Sequence, residues 1–160
     1  MRVITRLDIE GLITEANLSA RRRAILRLHE HEETVQRMVN AILPGSYVTP
    51  HKHENPDKVE LFNILVGRVA VLQFSAVGEV EDIAILEQGG LNVVAEIPPR
   101  VYHSMIALEP AAVLEIIQGP YDAATHKKFA PWAPQEDNHY ARDFYLYLES
   151  IVHNRAAASK

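Results

Sequence analysis

The chain has 160 residues, 48% of them apolar and 23% charged, which is typical of a single soluble globular domain. Cysteine is absent, so disulfides, thiolate catalysis and thiolate metal sites are excluded, and any metal must be bound by His, Asp or Glu. The formal net charge of −5 argues against a nucleic-acid surface, and no apolar run is long enough for a signal peptide or a membrane helix. We therefore expect a cytoplasmic protein that binds neither nucleic acid nor a membrane.

The first 23 residues are interrupted by charges and are treated as an N-terminal segment. Two short apolar runs follow, at residues 24–29 and 35–43. Both runs predict β-strands, although the periodicity of the second would also fit a helix.

Short runs rich in Val, Ile and Leu recur from residue 47 to residue 117, separated by Gly, Pro or charged residues. Gly67 and Arg68 lie between two of these runs, so we expect a tight turn and a hairpin there. Such regularly spaced strands are typical of a β-sandwich or a barrel. The strands predicted in this region are 60–66, 69–74, 80–86, 92–97, 101–108 and 112–117.

The end of the chain changes to a helical pattern. Apolar residues recur there at the spacing of one helix face, which predicts an amphipathic helix that covers the barrel or a partner subunit. We expect an N-terminal segment (1–23), a barrel (24–137) and a C-terminal helix with a frayed tail (138–160). The predicted apolar stripe consists of Tyr140, Phe144, Tyr147, Leu148 and Ile151.

Four side chains form a candidate metal site. Side chains alternate between the two faces of a strand, so His51 and His53 share one face. Glu60 opens the next predicted strand, and His103 lies on one face of a later strand. If these faces line one barrel interior, three imidazoles and one carboxylate converge among apolar side chains.

This ligand set suits a borderline divalent ion such as Fe(II), Mn(II), Ni(II), Co(II) or Zn(II). Four protein ligands leave one or two positions of an octahedral metal open for water or substrate. A metal held in this way could polarise a carbonyl or hydroxyl group, acidify bound water or, if it is redox active, bind dioxygen. The identity of the ligands does not separate these alternatives.

Two segments resemble the sequence motifs of the cupin family. They read Gly45-x5-His51-x-His53-x6-Glu60-x6-Gly67 and Gly90-x7-Pro98-x4-His103. The resemblance implies a mainly β fold, the double-stranded β-helix barrel of the jelly-roll type, with a metal bound by those three histidines and that glutamate.

A narrower resemblance covers about residues 24–137. Residues 36–53, 96–103 and 119–135 are similar to the WbuC family of cupin-fold metalloproteins, which occurs among bacterial O-antigen and surface-polysaccharide genes. The family is defined by its fold and its metal site rather than by a settled reaction.

The chain departs from the general cupin pattern in the loop before Glu60 and in the second motif, where Ala107 stands in place of the usual asparagine. The loop between His53 and Glu60 is longer than usual, which leaves Glu54 as a rival carboxylate ligand. Arg100 stands where a glycine is usual, so the turn there has either another geometry or a strained backbone.

Several polar residues outside the four ligands are candidates for the substrate pocket, since an arginine could bind a carboxylate or a phosphate. The main candidates are Arg37, Tyr47, Arg100 and Tyr102. The other histidines are interpreted as surface residues: residues 29–33 as a solvated loop, and His126, His139 and His153 as ordinary exposed positions.

Two functions fit these observations. The first is a metal-dependent enzyme, an isomerase, epimerase or oxygenase, acting on a small polar metabolite. The WbuC resemblance implies a sugar or a nucleotide-sugar intermediate of surface-polysaccharide synthesis. The second is a binding or regulatory module that captures a small ligand without turnover. In either case we expect a homodimer, because cupin barrels often pair through edge or exchanged strands.

Overall fold

The structure is a computed structural model, and it describes residues 1–158. Within these residues, two helices and ten strands follow one another. Their bounds are α1 (Arg6–Leu18), β1 (Arg23–Arg27), β2 (Val35–Ile42), β3 (His51–Lys52), β4 (Glu60–Val66), β5 (Arg68–Phe74), β6 (Val80–Glu87), β7 (Val94–Ile97), β8 (Tyr102–Ala107), β9 (Ala111–Gln118), β10 (Lys128–Phe129) and α2 (Ala141–Ala158).

The strands form two five-stranded antiparallel sheets. Sheet A has the order β1-β2-β9-β4-β7, and sheet B has the order β10-β3-β8-β5-β6. The inner faces of the two sheets enclose an apolar core that includes Phe62, Ile64, Val71 and Val113. The mainly β jelly-roll fold predicted from the sequence is confirmed.

The chain crosses between the sheets where the sequence predicts a hairpin. β4 pairs with β7 and β9, whereas β5 pairs with β6 and β8, so the predicted β4–β5 hairpin is wrong. The tight turn itself is present, because Gly67 has a φ of 75°. A side chain at Gly67 would lie 2.1 Å from the carbonyl oxygen of Pro110, so this crossing requires glycine.

Helix α1 covers the outer face of sheet A. Thr5 caps the helix, with the Asp8 carboxylate accepting a hydrogen bond from the Thr5 amide at 2.7 Å. Ile9, Leu12 and Ala16 are buried in a cluster with residues of β2 and β9. The N-terminal segment therefore contains a helix that was not predicted from the sequence.

Helix α2 covers the outer face of sheet B with a stripe one residue away from the predicted one. Its buried residues are Ala141, Tyr145, Leu148 and Val152. Tyr140 and Tyr147, which the prediction placed in the stripe, are 61% and 55% exposed. The helix continues to Ala158, and the final two residues of the predicted frayed tail lie outside the described part of the chain. Neither described helix combines the length and the apolar content needed to span a bilayer.

Candidate metal centre

The four predicted ligands meet between the two sheets. His51 lies in β3 directly opposite His103 in β8, and His53 follows one residue after the end of β3. Glu60 comes from the opposite sheet, as the first residue of β4. One potential ligand atom of each residue lies within 4.8 Å of the others, and all four side chains are buried. The fold thus brings together residues up to 52 positions apart, from His51 to His103.

Main-chain carbonyl oxygens hold all three imidazoles in one tautomer. The Nδ1 atoms of His51, His53 and His103 lie 2.9, 2.5 and 3.0 Å from carbonyl oxygens. These oxygens belong to Thr49, His126 and Val101, respectively. A carbonyl oxygen only accepts, so each Nδ1 must donate, and in a neutral imidazole Nε2 then carries a free lone pair. This arrangement is the usual orientation of metal-binding histidines in proteins.

The Nε2 lone pairs of the three histidines point towards the Glu60 carboxylate. All of these groups are acceptors, and no hydrogen-bond donor from residues 1–158 lies between them. Glu60 Oε2 lies 3.1 Å from His53 Nε2 and 2.8 Å from His103 Nε2. The second contact lacks the geometry of a hydrogen bond, and His51 Nε2 is buried with no hydrogen-bond partner in the described part of the chain. Buried acceptors that face one another need a cation or a proton among them. The donor set therefore fits a divalent metal ion.

The electrostatics keep two of the ligands in forms that bind metal. Burial lowers the pKa of His51 well below its usual value, and the charge of Lys127 acts in the same direction. Burial alone would raise the pKa of Glu60, but the adjacent His103 and His53 outweigh it and hold the pKa well below its usual value. A neutral His51 and an ionised Glu60 are the states that coordinate a metal.

A cavity of about 230 Å³ adjoins the cluster. His51, Glu60 and His103 form one part of its wall. Apolar side chains form another: Ala41, Ile42, Val48, Phe62, Met105, Val113 and Phe129. The polar residues that complete the lining are Arg21, Arg23, Asn40, Thr49, Ser104, Glu115, Lys127 and Glu136. The cluster is therefore accessible to a small molecule from the side of the cavity.

Glu115 is a cavity residue that sequence reasoning missed. It lies in β9, and its carboxylate accepts a hydrogen bond from Asn40 Nδ2 at 2.6 Å. Burial and the nearby charge of Glu60 raise the pKa of Glu115 well above its usual value. A signal was present in the sequence, since Glu115 is the lone charged residue on the inward face of β9, between Val113 and Ile117.

His126 and His29 are not the exposed residues that the sequence predicts. His126 supplies the carbonyl that orients His53, and the two ring centroids are 5.2 Å apart. Burial, together with the charge of Lys127, lowers the pKa of His126 to about 3. His29 is buried, and its Nδ1 accepts a hydrogen bond from the Arg37 amide at 2.8 Å.

The four predicted pocket residues are not among those that line this cavity. Arg37 pairs with Glu33 on the surface, and Arg100 pairs with Asp57 at 3.0 Å. The other two residues, Tyr47 and Tyr102, contact the segment just before helix α2. Tyr47 donates a hydrogen bond to the Pro134 carbonyl at 2.8 Å, and the Tyr102 ring lies 5.8 Å from that of Trp132.

The rival carboxylate Glu54 also lies outside the cluster. Its oxygens pair with Lys128 and, at 2.7 Å, with Lys52. Hydrogen bonds from these two lysines lower the pKa of Glu54 to about 2. Glu60, rather than Glu54, faces the three histidines.

Comparison with solved structures defines the class of fold. A conserved protein of unknown function from Streptococcus pyogenes matches with a TM-score of 0.53 at 14% identity, over 76% of this chain and 93% of that one. KdgF from Halomonas sp. matches with a TM-score of 0.50 at 16% identity, over 64% and 83%. Oxalate decarboxylase from Bacillus subtilis matches with a TM-score of 0.50 at 18% identity over 67% of this chain, which spans only 27% of that enzyme. The neighbours are cupin-fold proteins, and this chain has the cupin fold.

The family of the chain is identified by its sequence rather than by its fold. The model of a domain of unknown function, DUF6016, matches residues 4–86, which is just over half of the chain. The chain belongs to this family. No curated protein matches it in sequence.

Proposed function

We propose that this protein is a metal-dependent enzyme in which His51, His53, Glu60 and His103 bind one divalent transition metal. One observation carries the proposal: three imidazoles, each oriented by a main-chain carbonyl, direct their free Nε2 atoms and the Glu60 carboxylate to a common point. Fe(II), Mn(II), Ni(II), Co(II) and Zn(II) all accept this ligand set.

The lining of the cavity gives separate roles to the metal and to the side chains around it. A metal bound at the cluster would supply Lewis-acid polarisation of a substrate oxygen. The three ligands that line the cavity leave its open side to the substrate, while Phe62 and Met105 provide an apolar wall. Glu115 lies beside Glu60 on the same wall, where it can hydrogen-bond to a bound substrate.

The substrate class is narrowed by size and by the sequence resemblance. Pockets for drug-sized ligands occupy about 300–1,000 Å³. The cavity of about 230 Å³ favours a sugar or a smaller polar metabolite over an entire nucleotide-sugar. The similarity of residues 36–53 and 96–103 to the WbuC family supports a sugar intermediate of surface-polysaccharide synthesis in the cytoplasm.

The test is turnover with the metal removed and restored. Chelated protein is reloaded with each of the five metals and incubated with sugars, nucleotide-sugars and small hydroxy acids, and products are detected by NMR. We expect conversion of at least one compound by one metal form, and none by chelated protein or by His51→Ala. A protein that holds stoichiometric metal and binds a compound unchanged would contradict an enzyme and support the binding or regulatory module.

A further inference from the structure

Lys127 is a cation beside the proposed metal centre that forms no ion pair within residues 1–158. It is half-buried and lines the cavity. Its charge reaches three groups around the centre, His51, His126 and Glu115. Its ammonium group nevertheless forms no hydrogen bond or ion pair with any residue from 1 to 158. Keeping a half-buried ammonium group charged costs less free energy when an anion pairs with it. This position therefore favours a negatively charged ligand.

The neighbouring lysine shows the contrast. Lys128 is 59% exposed and pairs with Glu54, outside the cavity. Adjacent residues of one extended segment thus present one satisfied and one unsatisfied ammonium group. The unsatisfied group is the one that faces the cavity.

The charges of the residues that line the cavity also favour a negatively charged ligand. At the exposed end, Arg21 and Arg23 share the single carboxylate of Glu136. With a divalent metal at the cluster, the two arginines, Lys127 and the metal carry five positive charges. Glu60, Glu115 and Glu136 carry at most three negative charges. The cavity therefore has an excess of at least two positive charges that a bound anion can neutralise.

The remaining walls limit the anion to a compact organic one. Phe62, Met105 and Val113 offer apolar contact to carbon atoms, which a fully hydrated inorganic ion cannot use. A carboxylate can bind the metal through one oxygen and pair with an ammonium group through the other. We infer, on the basis of the proposed metal site, that the ligand of this cavity is a compact carboxylate whose negative charge is paired by Lys127.

The experiment compares a charged probe with its neutral counterpart. Lactate and lactamide have nearly the same shape and both can chelate a metal, but only lactate is an anion. Binding of each to cobalt-loaded protein is measured by calorimetry and by the visible spectrum of the cobalt. We expect lactate to bind about tenfold or more tightly than lactamide, because a charge pair of modest strength is worth at least one decade in affinity.

The variants locate the effect at Lys127. Lys127→Met should remove the preference for lactate and leave both cobalt stoichiometry and lactamide binding unchanged. Lys127→Arg should retain lactate binding to within a few fold, and Lys128→Met should behave as wild type. Melting temperatures of all variants identify any that fail to fold.

Three results would overturn the inference: equal affinity for lactate and lactamide, full lactate binding by Lys127→Met, or tighter binding of inorganic phosphate than of lactate. Failure of the metal site is a separate outcome. Protein that takes up no cobalt refutes the proposed function, and if it also shows no Lys127-dependent binding of lactate, the inference falls with it. If it still binds lactate through Lys127, the anion site stands alone.

Discussion

Three main-chain carbonyl groups fix the tautomers of the three histidines in the central cluster. His51 and His103 each bond to the carbonyl two residues earlier in the chain, and His53 bonds to that of His126. Because each Nδ1 donates outward, each Nε2 is left as an acceptor facing Glu60. The cluster is thereby organised before a metal arrives, which lowers the ordering cost of binding.

Glu60 carries the one negative charge among the four proposed ligands, so removing that charge should weaken metal binding strongly. We expect Glu60→Gln to weaken cobalt binding by about 100-fold or more, since altering even a group that only supports a ligand costs about 10–100-fold. Glu54→Gln is the matched control, because Glu54 is the nearby carboxylate that pairs with lysines outside the cluster. Competition titration with a chromogenic chelator measures both variants. Loss of affinity in Glu54→Gln alone would show that the wrong carboxylate has been assigned.

The sequence indicates the positions of the four candidate ligands more directly than it indicates the lining of the cavity. His51, His53, Glu60 and His103 follow from strand alternation and motif spacing, which are local properties. The lining of the cavity depends on which strand faces which, so the sequence alone does not place Arg37 and Tyr102 relative to it. Lys127 and His126 could not be found, because they lie in an irregular segment without a periodic pattern.

At the element scale, strand positions were predictable but strand partners were not. Each predicted strand from residue 24 to residue 118 has a counterpart within a few residues. The β4–β5 hairpin was wrong because a tight glycine turn can join strands of one sheet or of two, and only long-range packing decides between them. Helix α1 was missed although Thr5 and Asp8 form a capping pair in front of Ile9 and Leu12.

The Gly67 turn gives a direct test of how the chain passes between the sheets. We expect Gly67→Ala to lower the free energy of unfolding by about 2–3 kcal/mol, because it combines a positive φ with a clash against a carbonyl. Gly89 also has a φ of 75° but nothing within 4 Å of an added Cβ. Gly89→Ala should therefore cost only about 1 kcal/mol. Urea unfolding compares the two, and equal losses would contradict the close approach at Gly67.

Glu136 links the segment before α2 to the start of β1 and should make stability depend on pH. Burial raises the pKa of Glu136, but Arg21 and Arg23 outweigh it, so the pKa is lower in the folded than in the unfolded chain. The resulting stabilisation is present above the unfolded pKa of about 4.3 and is lost as the pH falls through the folded value.

We therefore expect Glu136→Gln to lose less stability than wild type when the pH is lowered from about 6 to about 3. Denaturant unfolding at a series of pH values measures the difference. Glu32→Gln is the control, since Glu32 is exposed and has no ion pair within residues 1–158. If the Glu136→Gln curve runs parallel to that of wild type, the ion pairs with the two arginines do not stabilise the fold.

At the scale of the whole molecule, the homodimer predicted from the sequence stays a prediction. Strand β7 lies at the edge of sheet A, and Val94 within it is 47% exposed, as Val93 just before it is 41% exposed. Edge strands of this kind pair readily with another chain. We expect light scattering to give twice the chain mass of 18.0 kDa, and Val94→Lys to shift the protein towards monomer. A monomeric wild type would contradict the homodimer.

The cluster also joins the two halves of the molecule, because three ligands come from the region of sheet B and Glu60 comes from sheet A. The decisive measurement for this site is the metal content of the purified protein. It is determined by elemental mass spectrometry for wild type, His51→Ala and the exposed control His153→Ala. We predict about one transition-metal ion per chain in wild type and in the control, and none in His51→Ala. Wild-type protein that takes up none of the five metals, or a His51→Ala variant that retains the full amount, would contradict the account.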